Sequence, residues 1–233
     1  MLDRSKENWL SWAVLDGAAP PLEDLGALEH GKGDWEQTAE MVRAVPRIFP
    51  CVLDGQHIRV REVDLGDLEA TWAWASRAEF FRFLPVDQPT REEERAWLEA
   101  IVADARQIPR RRYELGVEVV EASELVGMVR LAIESERHRN ASVGYGIRPD
   151  CWGHGYATEA ARLIVGFGFE SLGMHRIWAT HHPDNLASRK VLDRVGFKEE
   201  GRRRDDRVVG GAWHDSIVCS ILENEWRKVR VHE

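Results

Sequence analysis

The stretch Gly144–Gly173, GYGIRPDCWGHGYATEAARLIVGFGFESLG, narrows the choice of fold more than any other part of this chain. An alternating segment ending at Ile147 leads into a turn that carries Gly153 and Gly155, and a helical pattern starts at once, from about Gly155 to Leu172. A helix that begins directly after a glycine turn leaves several main-chain N–H groups without partners and sets the helix dipole behind them, an arrangement suited to phosphate. By itself a Gly-x-Gly is also an ordinary strand-to-helix turn. A dinucleotide fingerprint is not met, because Thr158 stands where the third glycine belongs.

Strand and helix periodicities alternate around this segment. Strand patterns cover Ile58–Val63, Tyr113–Glu121, Glu124–Glu134, Ala141–Ile147, Arg176–His181, Phe197–Arg207 and Ala212–Leu222, with Ala122–Ser123 linking a hairpin. Helical patterns cover Asp67–Ser76, Arg91–Gln107 after the cap Thr90, and Asp184–Val195. The order predicts a mixed α/β fold, an α+β mixed sheet without internal repeats, over residues 51–233. Residues 1–50 read as a helical N-terminal extension, with amphipathic segments at Ser5–Leu15 and Asp34–Val45 that Pro46 and Pro50 close.

Composition sets the class. With 43% hydrophobic and 31% charged residues and no apolar run near the ~20 residues that span a bilayer, the chain reads as water-soluble, with no membrane partner. No secretory signal is evident, so a cytoplasmic location is expected. A net charge of −8 argues against nucleic-acid binding and favours a cationic substrate if acidic residues gather at a cleft. Cys51, Cys151 and Cys219 are odd in number and widely spaced, so three free thiols are expected, with neither disulfides nor a metal site. Along a strand His181 and His182 face opposite ways, which also argues against a shared metal.

Three blocks in order resemble the GNAT superfamily of N-acetyltransferases, in particular its branch of ribosomal-protein N-terminal (alanine and serine) acetyltransferases. They are GYGIRPDCWGHGYATEA (Gly144–Ala160), HPDNLASRKVLDRVGF (His182–Phe197) and the Glu200–Ile217 segment with Trp213–His214–Asp215. The resemblance implies the acyl-CoA N-acyltransferase fold, its central sheet splayed into a V after Ile147. It implies acetyl-CoA as co-substrate, its pantetheine arm beside the backbone of Ile147 and Arg148 and its diphosphate held by the N–H groups of Gly153, His154, Gly155, Tyr156, Ala157 and Thr158. Asn185 and Lys190 complete the expected set, with Arg189 competing for the adenosine 3′-phosphate. Asp150 departs from the Gln or Arg usual in the wider superfamily.

Acetyl transfer to an amine needs a proton acceptor, an oxyanion donor and a proton for the leaving thiolate. The resemblance gives the second role to the Ile147 N–H and the third to Ser188, with Asn185 one turn earlier. The plainer alternative makes Asn185 a helix cap and Ser188 a first-turn polar residue. Some members of the branch have a base carboxylate where this chain has Arg207, so Glu134 is the replacement chosen, with His181, Asp206, Asp215 and a water relay as alternatives. Trp72, Trp74, Phe80, Phe81 and Phe83 lie where the family builds its acceptor wall. The basic runs Arg110–Arg112 and Arg202–Arg204 read as solvated surface. The acceptor is a primary amine, on a protein N-terminus or on a small molecule such as an antibiotic, polyamine or amino-acid derivative. A catalytically silent acyl-CoA-binding domain and a homodimer also stay open.

Overall fold

Alternation of β-branched and other apolar residues builds the sheet, and register decides which face each residue serves. The computed structural model describes residues 49–231; the extension read over residues 1–50 lies almost wholly outside them. The strands are β1 (Val52–Asp54), β2 (Ile58–Glu62), β3 (Arg112–Val119), β4 (Glu124–Ser135), β5 (Asn140–Ile147), β6 (Arg176–His181), β7 (Lys198–Val209) and β8 (Ala212–Leu222). They form one mixed sheet in the order β1-β2-β3-β4-β5-β6-β8-β7. The helices are α1 (Leu68–Ala75), α2 (Ala78–Phe81), α3 (Arg91–Asp104), α4 (Tyr156–Glu170), α5 (Leu186–Val195) and α6 (Glu223–Val231).

Each face of the sheet has its own core. Val129, Leu131 and Ile133 of β4 pack with Ile164, Val165 and Phe167 of α4. Met128, one position out of phase, packs on the other face with Leu68 and Trp74 of α1 and Leu98 and Ile101 of α3. Thr90 caps α3 as expected, its hydroxyl accepting from the Glu93 N–H while the Glu93 carboxylate returns to the Thr90 N–H at 2.8 Å.

One junction determines the site. β5 and β6 are parallel, joined through α4, and pair over only three positions, Asn140 with Arg176 to Ser142 with Trp178. Beyond them β5 stays with β4 as far as Ile147, and β6 stays with β8 as far as His181. The sheet therefore divides into two arms, the open GNAT fold that the resemblance implied.

Several local expectations change. The α3 helix stops three residues before Gln107, because Arg106 and Gln107 close tighter turns onto the carbonyls of Ala103 (3.2 Å) and Asp104 (3.0 Å). Strand β1 and helices α2 and α6 are additions to the elements read from the sequence. Arg110 is not solvated surface: it is 4% exposed, paired with Glu62 (Nη2 to Oε2, 3.0 Å) with its guanidinium 4.2 Å from the Tyr113 ring centre. A buried guanidinium needs such partners to offset its desolvation.

A second buried cation, Arg130 of β4, stands opposite Glu114 of β3 at 3.9 Å. Burial pushes the Glu114 carboxyl up to about 7 despite the lowering pull of Arg130. The folded chain then keeps a proton that the unfolded chain releases above its ordinary pKa of about 4.3, so this group's stabilising contribution is lost as pH rises from there to about 7. Glu114→Gln is expected to flatten the fall in unfolding free energy across that window by up to about 1.4 kcal/mol per pH unit. Denaturant titrations at successive pH values measure it, and identical slopes in both proteins would show that Glu114 does not titrate there.

Candidate active site

Between the arms a cleft of about 430 Å³ passes through the sheet. Its β5 wall follows from strand alternation. The Arg148 N–H donates to the Val126 carbonyl of β4 at 2.7 Å, so the main-chain groups of Val143, Tyr145 and Ile147 face away from β4, into the opening. The Ile147 N–H is thus an open donor on the splayed strand. The Ile147 carbonyl accepts from the Trp152 indole at 2.6 Å.

Arg148 does not lend its backbone to an added strand, contrary to expectation. Its N–H is taken by Val126, and its carbonyl accepts from the Cys151 N–H at 2.9 Å as the chain enters the turn Pro149–Cys151. Its side chain braces that turn, with Nη1 2.8 Å from Glu124 and Nε 2.8 Å from Asp150. Asp150 also meets Arg77 at 3.3 Å, which places it in an ion-pair network.

The glycine turn has the backbone its residues allow. Gly153 and Gly155 both have φ of +86°, the left-handed region where a side chain costs about 1–2 kcal/mol. A Cβ at either would meet nothing within 4 Å, so the space above the turn is open. None of the N–H groups of Gly153, His154, Gly155, Tyr156 and Ala157 donates to an acceptor among the described residues. Thr158 differs from expectation, since its N–H donates to the Gly155 carbonyl at 3.0 Å; the row of donors stops at Ala157. Glu159 fixes the first turn of α4 to the sheet edge by accepting from the His57 N–H at 2.9 Å.

The opposite wall comes from α5. Asn185 caps it, its side chain accepting from the Ser188 N–H at 3.0 Å, so the Asn-x-x-Ser spacing is a cap as well as part of the cleft wall. The Ser188 hydroxyl lies 3.0 Å from the Tyr145 hydroxyl, which also donates to the Ser188 carbonyl at 3.1 Å. Tyr145 therefore bridges the arms. Burial raises its pKa against the lowering effect of Ser188, so the phenol stays protonated and remains a donor. Lys190 lines the cleft one turn from Arg194, while Arg189 pairs with Asp193 at 3.9 Å and lies outside the wall.

The four groups considered for proton acceptance occupy different surroundings. Glu134 lies outside the cleft wall and accepts a hydrogen bond from Ser142, which is on it. Asp206 takes the Ser216 hydroxyl and stands 3.4 Å from Arg207. Asp215 pairs with Arg202 and accepts from the Asp205 N–H at 2.9 Å; these hydrogen bonds hold its carboxyl below the usual range. His181 is 6% exposed, and its Nδ1 donates to the His182 carbonyl at 2.8 Å, which leaves Nε2 as the unprotonated nitrogen in the neutral ring, with no hydrogen-bond partner among the described residues. His182 lies just beyond the end of β6 and, like His181, lines the cleft. Its Nδ1 accepts from the Asp184 N–H, so its Nε2 donates to His214 Nδ1 at 3.0 Å. Of the expected aromatic wall, Phe80 and Phe83 line the cleft; Trp74 and Phe81 line a smaller adjoining cavity, and Trp72 packs beside the α1–α3 core.

A family profile for the acetyltransferase (GNAT) domain matches residues 57–198. The chain belongs to the GNAT family. An N-acetyltransferase of Bacillus subtilis called YoaA, itself uncharacterised, is 31% identical over 176 residues, covering 76% of this chain and 98% of its own. The ribosomal protein uS5 alanine N-acetyltransferase of Escherichia coli is 30% identical over 84 residues, 36% of this chain and 43% of that one. Among solved structures, Mycobacterium smegmatis RimJ in complex with CoA-disulfide superposes with a TM-score of 0.68 at 26% identity, covering 76% of this chain and 90% of that one. The resemblance to the ribosomal-protein branch is upheld, and the protein is an acetyl-CoA-dependent N-acetyltransferase.

For this GNAT enzyme, Tyr145 and Trp152 are among the polar groups at the cleft that escaped the sequence reading. Tyr145 sits on β5, 43 positions from its partner Ser188. Trp152 is an exposed aromatic inside the turn, and only its hydrogen bond to Ile147 gives it a place. The turn geometry generates a prediction: Gly155→Ala should fold, because its Cβ has room, but relieve the left-handed strain by rotating peptides and turning donors away. A rise of about 10-fold in the CoA dissociation constant is expected, read by calorimetry, for a loss on the order of 1–2 kcal/mol.

Proposed function

We propose that the enzyme transfers acetyl from acetyl-CoA to the N-terminal α-amine of a protein in the cytoplasm, by direct attack in a ternary complex. The observation that carries this reading is the state of the carboxylates. Among the described residues those on the cleft wall are Glu79, exposed at the rim, and Asp215, committed to Arg202 and the Asp205 N–H. An α-amine, with an ordinary pKa near 8, loses its proton far more easily than a lysine or polyamine amine near 10 and suits a site without a dedicated carboxylate base. His181 Nε2 is the uncommitted nitrogen on this wall and supports a role as proton acceptor, directly or through water. The similarity to the uS5 alanine N-acetyltransferase points to the same acceptor class.

In this reading the Ile147 N–H stabilises the oxyanion, and Ser188 donates a hydrogen bond to the departing thiolate, its hydroxyl positioned by that of Tyr145 3.0 Å away. Asn185 holds Ser188 in place through the cap. The five open N–H groups from Gly153 to Ala157 fit a diphosphate, and the position of Lys190 on the cleft wall supports a role at the adenosine phosphate.

Ser188→Ala is expected to lower kcat by about 10- to 100-fold while changing the CoA dissociation constant far less. Tyr145→Phe should fall in between, because the contact that positions Ser188 is lost but the serine hydroxyl stays. An unaltered kcat in Ser188→Ala would remove that hydroxyl from the reaction. The acceptor class is tested by thiol release with N-terminal peptides and polyamines, and a clear preference for polyamines would overturn the α-amine assignment.

A further inference from the structure

The chain is acidic overall, yet the acceptor side of its cleft is lined by arginines. Arg130 of β4 pairs in register with Gly144 of β5, and Ser142, Gly144 and Gly146 share its face of the sheet, the face turned away from α4. Two of these three positions are glycines, so no β5 side chain stands between the guanidinium and the opening. On the other arm Thr180 of β6 lies on the same face as Trp178, the partner of Ser142, and its hydroxyl accepts from Arg207 Nη2 at 3.1 Å. Arg207 therefore faces the same chamber from β7. Both arginines line the cleft; Arg130 is 6% exposed, and the Arg207 side chain 18%. Phe80 and Phe83 border the chamber too, Phe80 beside the Gly146 position.

The counter-charges nearby are divided. Asp206 is 3.4 Å from Arg207 but also 3.8 Å from Arg203, and it takes the Ser216 hydroxyl as well. Glu114 stands 3.9 Å from Arg130, and among the described residues neither Glu114 oxygen accepts a hydrogen bond. The two arginines also act on each other: burial first, and then the charge of Arg130 among others, hold the Arg207 guanidinium below its usual pKa, against the support of Asp206. Like charges facing one partly dry chamber are stabilised when an anion lies between them. Guanidinium groups match the planar geometry of a carboxylate better than any other side chain.

We propose that Arg130 and Arg207 form a seat for a carboxylate on the acceptor, a few bonds from the amine that is acetylated. This deepens the functional reading and rests on it. It reverses the sequence-based expectation of a cationic substrate, because net charge describes the whole surface and the chamber has the opposite sign. The carboxylate belongs to an acidic side chain next to the N-terminal residue or to the end of a very short peptide; a polyamine is disfavoured.

The test measures kcat/KM with the full chain on amines paired to differ only in charge. Ala-Asp-Ala amide against Ala-Asn-Ala amide reports a side-chain carboxylate, Ala-Ala against Ala-Ala amide a terminal one, and spermidine is the cationic control. In at least one pair the acid should exceed its amide by about 10-fold or more, mainly through KM, with spermidine poorer than either. Arg207→Gln should bring the ratio close to one. Arg130→Gln should do the same, and the less buried Arg207 carries the test if that variant does not fold. Equal rates within both pairs, or a ratio that persists in Arg207→Gln, overturns the seat. So does loss of CoA-induced heat stabilisation in Arg207→Gln, which would assign the charge to the nucleotide. If CoA stabilises the protein and no amine is acetylated, the functional reading falls separately, and glutarate becomes the probe. Heat stabilisation by glutarate that Arg207→Gln abolishes upholds the seat, and no stabilisation overturns it.

Discussion

Everything at this site depends on β5 losing contact with β6 after Ser142. A strand edge inside a protein leaves a row of main-chain donors and acceptors that must find partners, and such edges are normally covered or blunted. Here the edge borders a cleft, and the neighbouring elements are placed by the same divergence. The diphosphate turn and α4 follow directly from the end of β5, and α5 follows from the end of β6, so its cap faces the first strand across the gap. Tyr145 joins the two arms through Ser188, and this contact sets their spacing across the cleft.

The two faces of the divided sheet have different chemistry. On the α4 side the cleft presents main-chain N–H groups and hydroxyls, with Lys190 and Arg194 of α5 on the same wall, a set that suits an anionic nucleotide. On the α1–α3 side it presents the guanidinium groups of Arg130 and Arg207, the latter anchored by Thr180 and Asp206. Glycines at 144 and 146 keep the β5 floor low there. At Gly146 a Cβ would come within 2.7 Å of the Phe80 ring, so the packing of the acceptor wall depends on its absence.

Features encoded by neighbours in sequence were legible. The β3–β4 hairpin follows from alternation, the turn from glycines that must adopt positive φ, and the start of α5 from the four-residue Asn185–Ser188 cap. Features that depend on long-range register were not. Whether Arg148 has a free N–H is decided by Val126 across the sheet, the burial of Arg110 by Glu62 48 positions away, and the partner of Tyr145 by the helix α5, 43 positions on. Three-residue β1 is too short for any period to show. The sign of the charge in the acceptor chamber was hidden for a related reason, since composition sums over residues that the fold sends to different faces.

The Trp152 indole on the Ile147 carbonyl has a further bearing on selectivity. In the resting protein that acceptor is already satisfied, so an incoming pantetheine amide would swap one hydrogen bond for another and gain little net free energy at this point. Discrimination among thioesters then falls on the far end of the molecule, where the amides after Gly153 wait without partners. Truncated acyl carriers that keep the arm but lack the two phosphates are poor tenants of such a cleft, and full-length coenzyme A is the form for which the resting state is built.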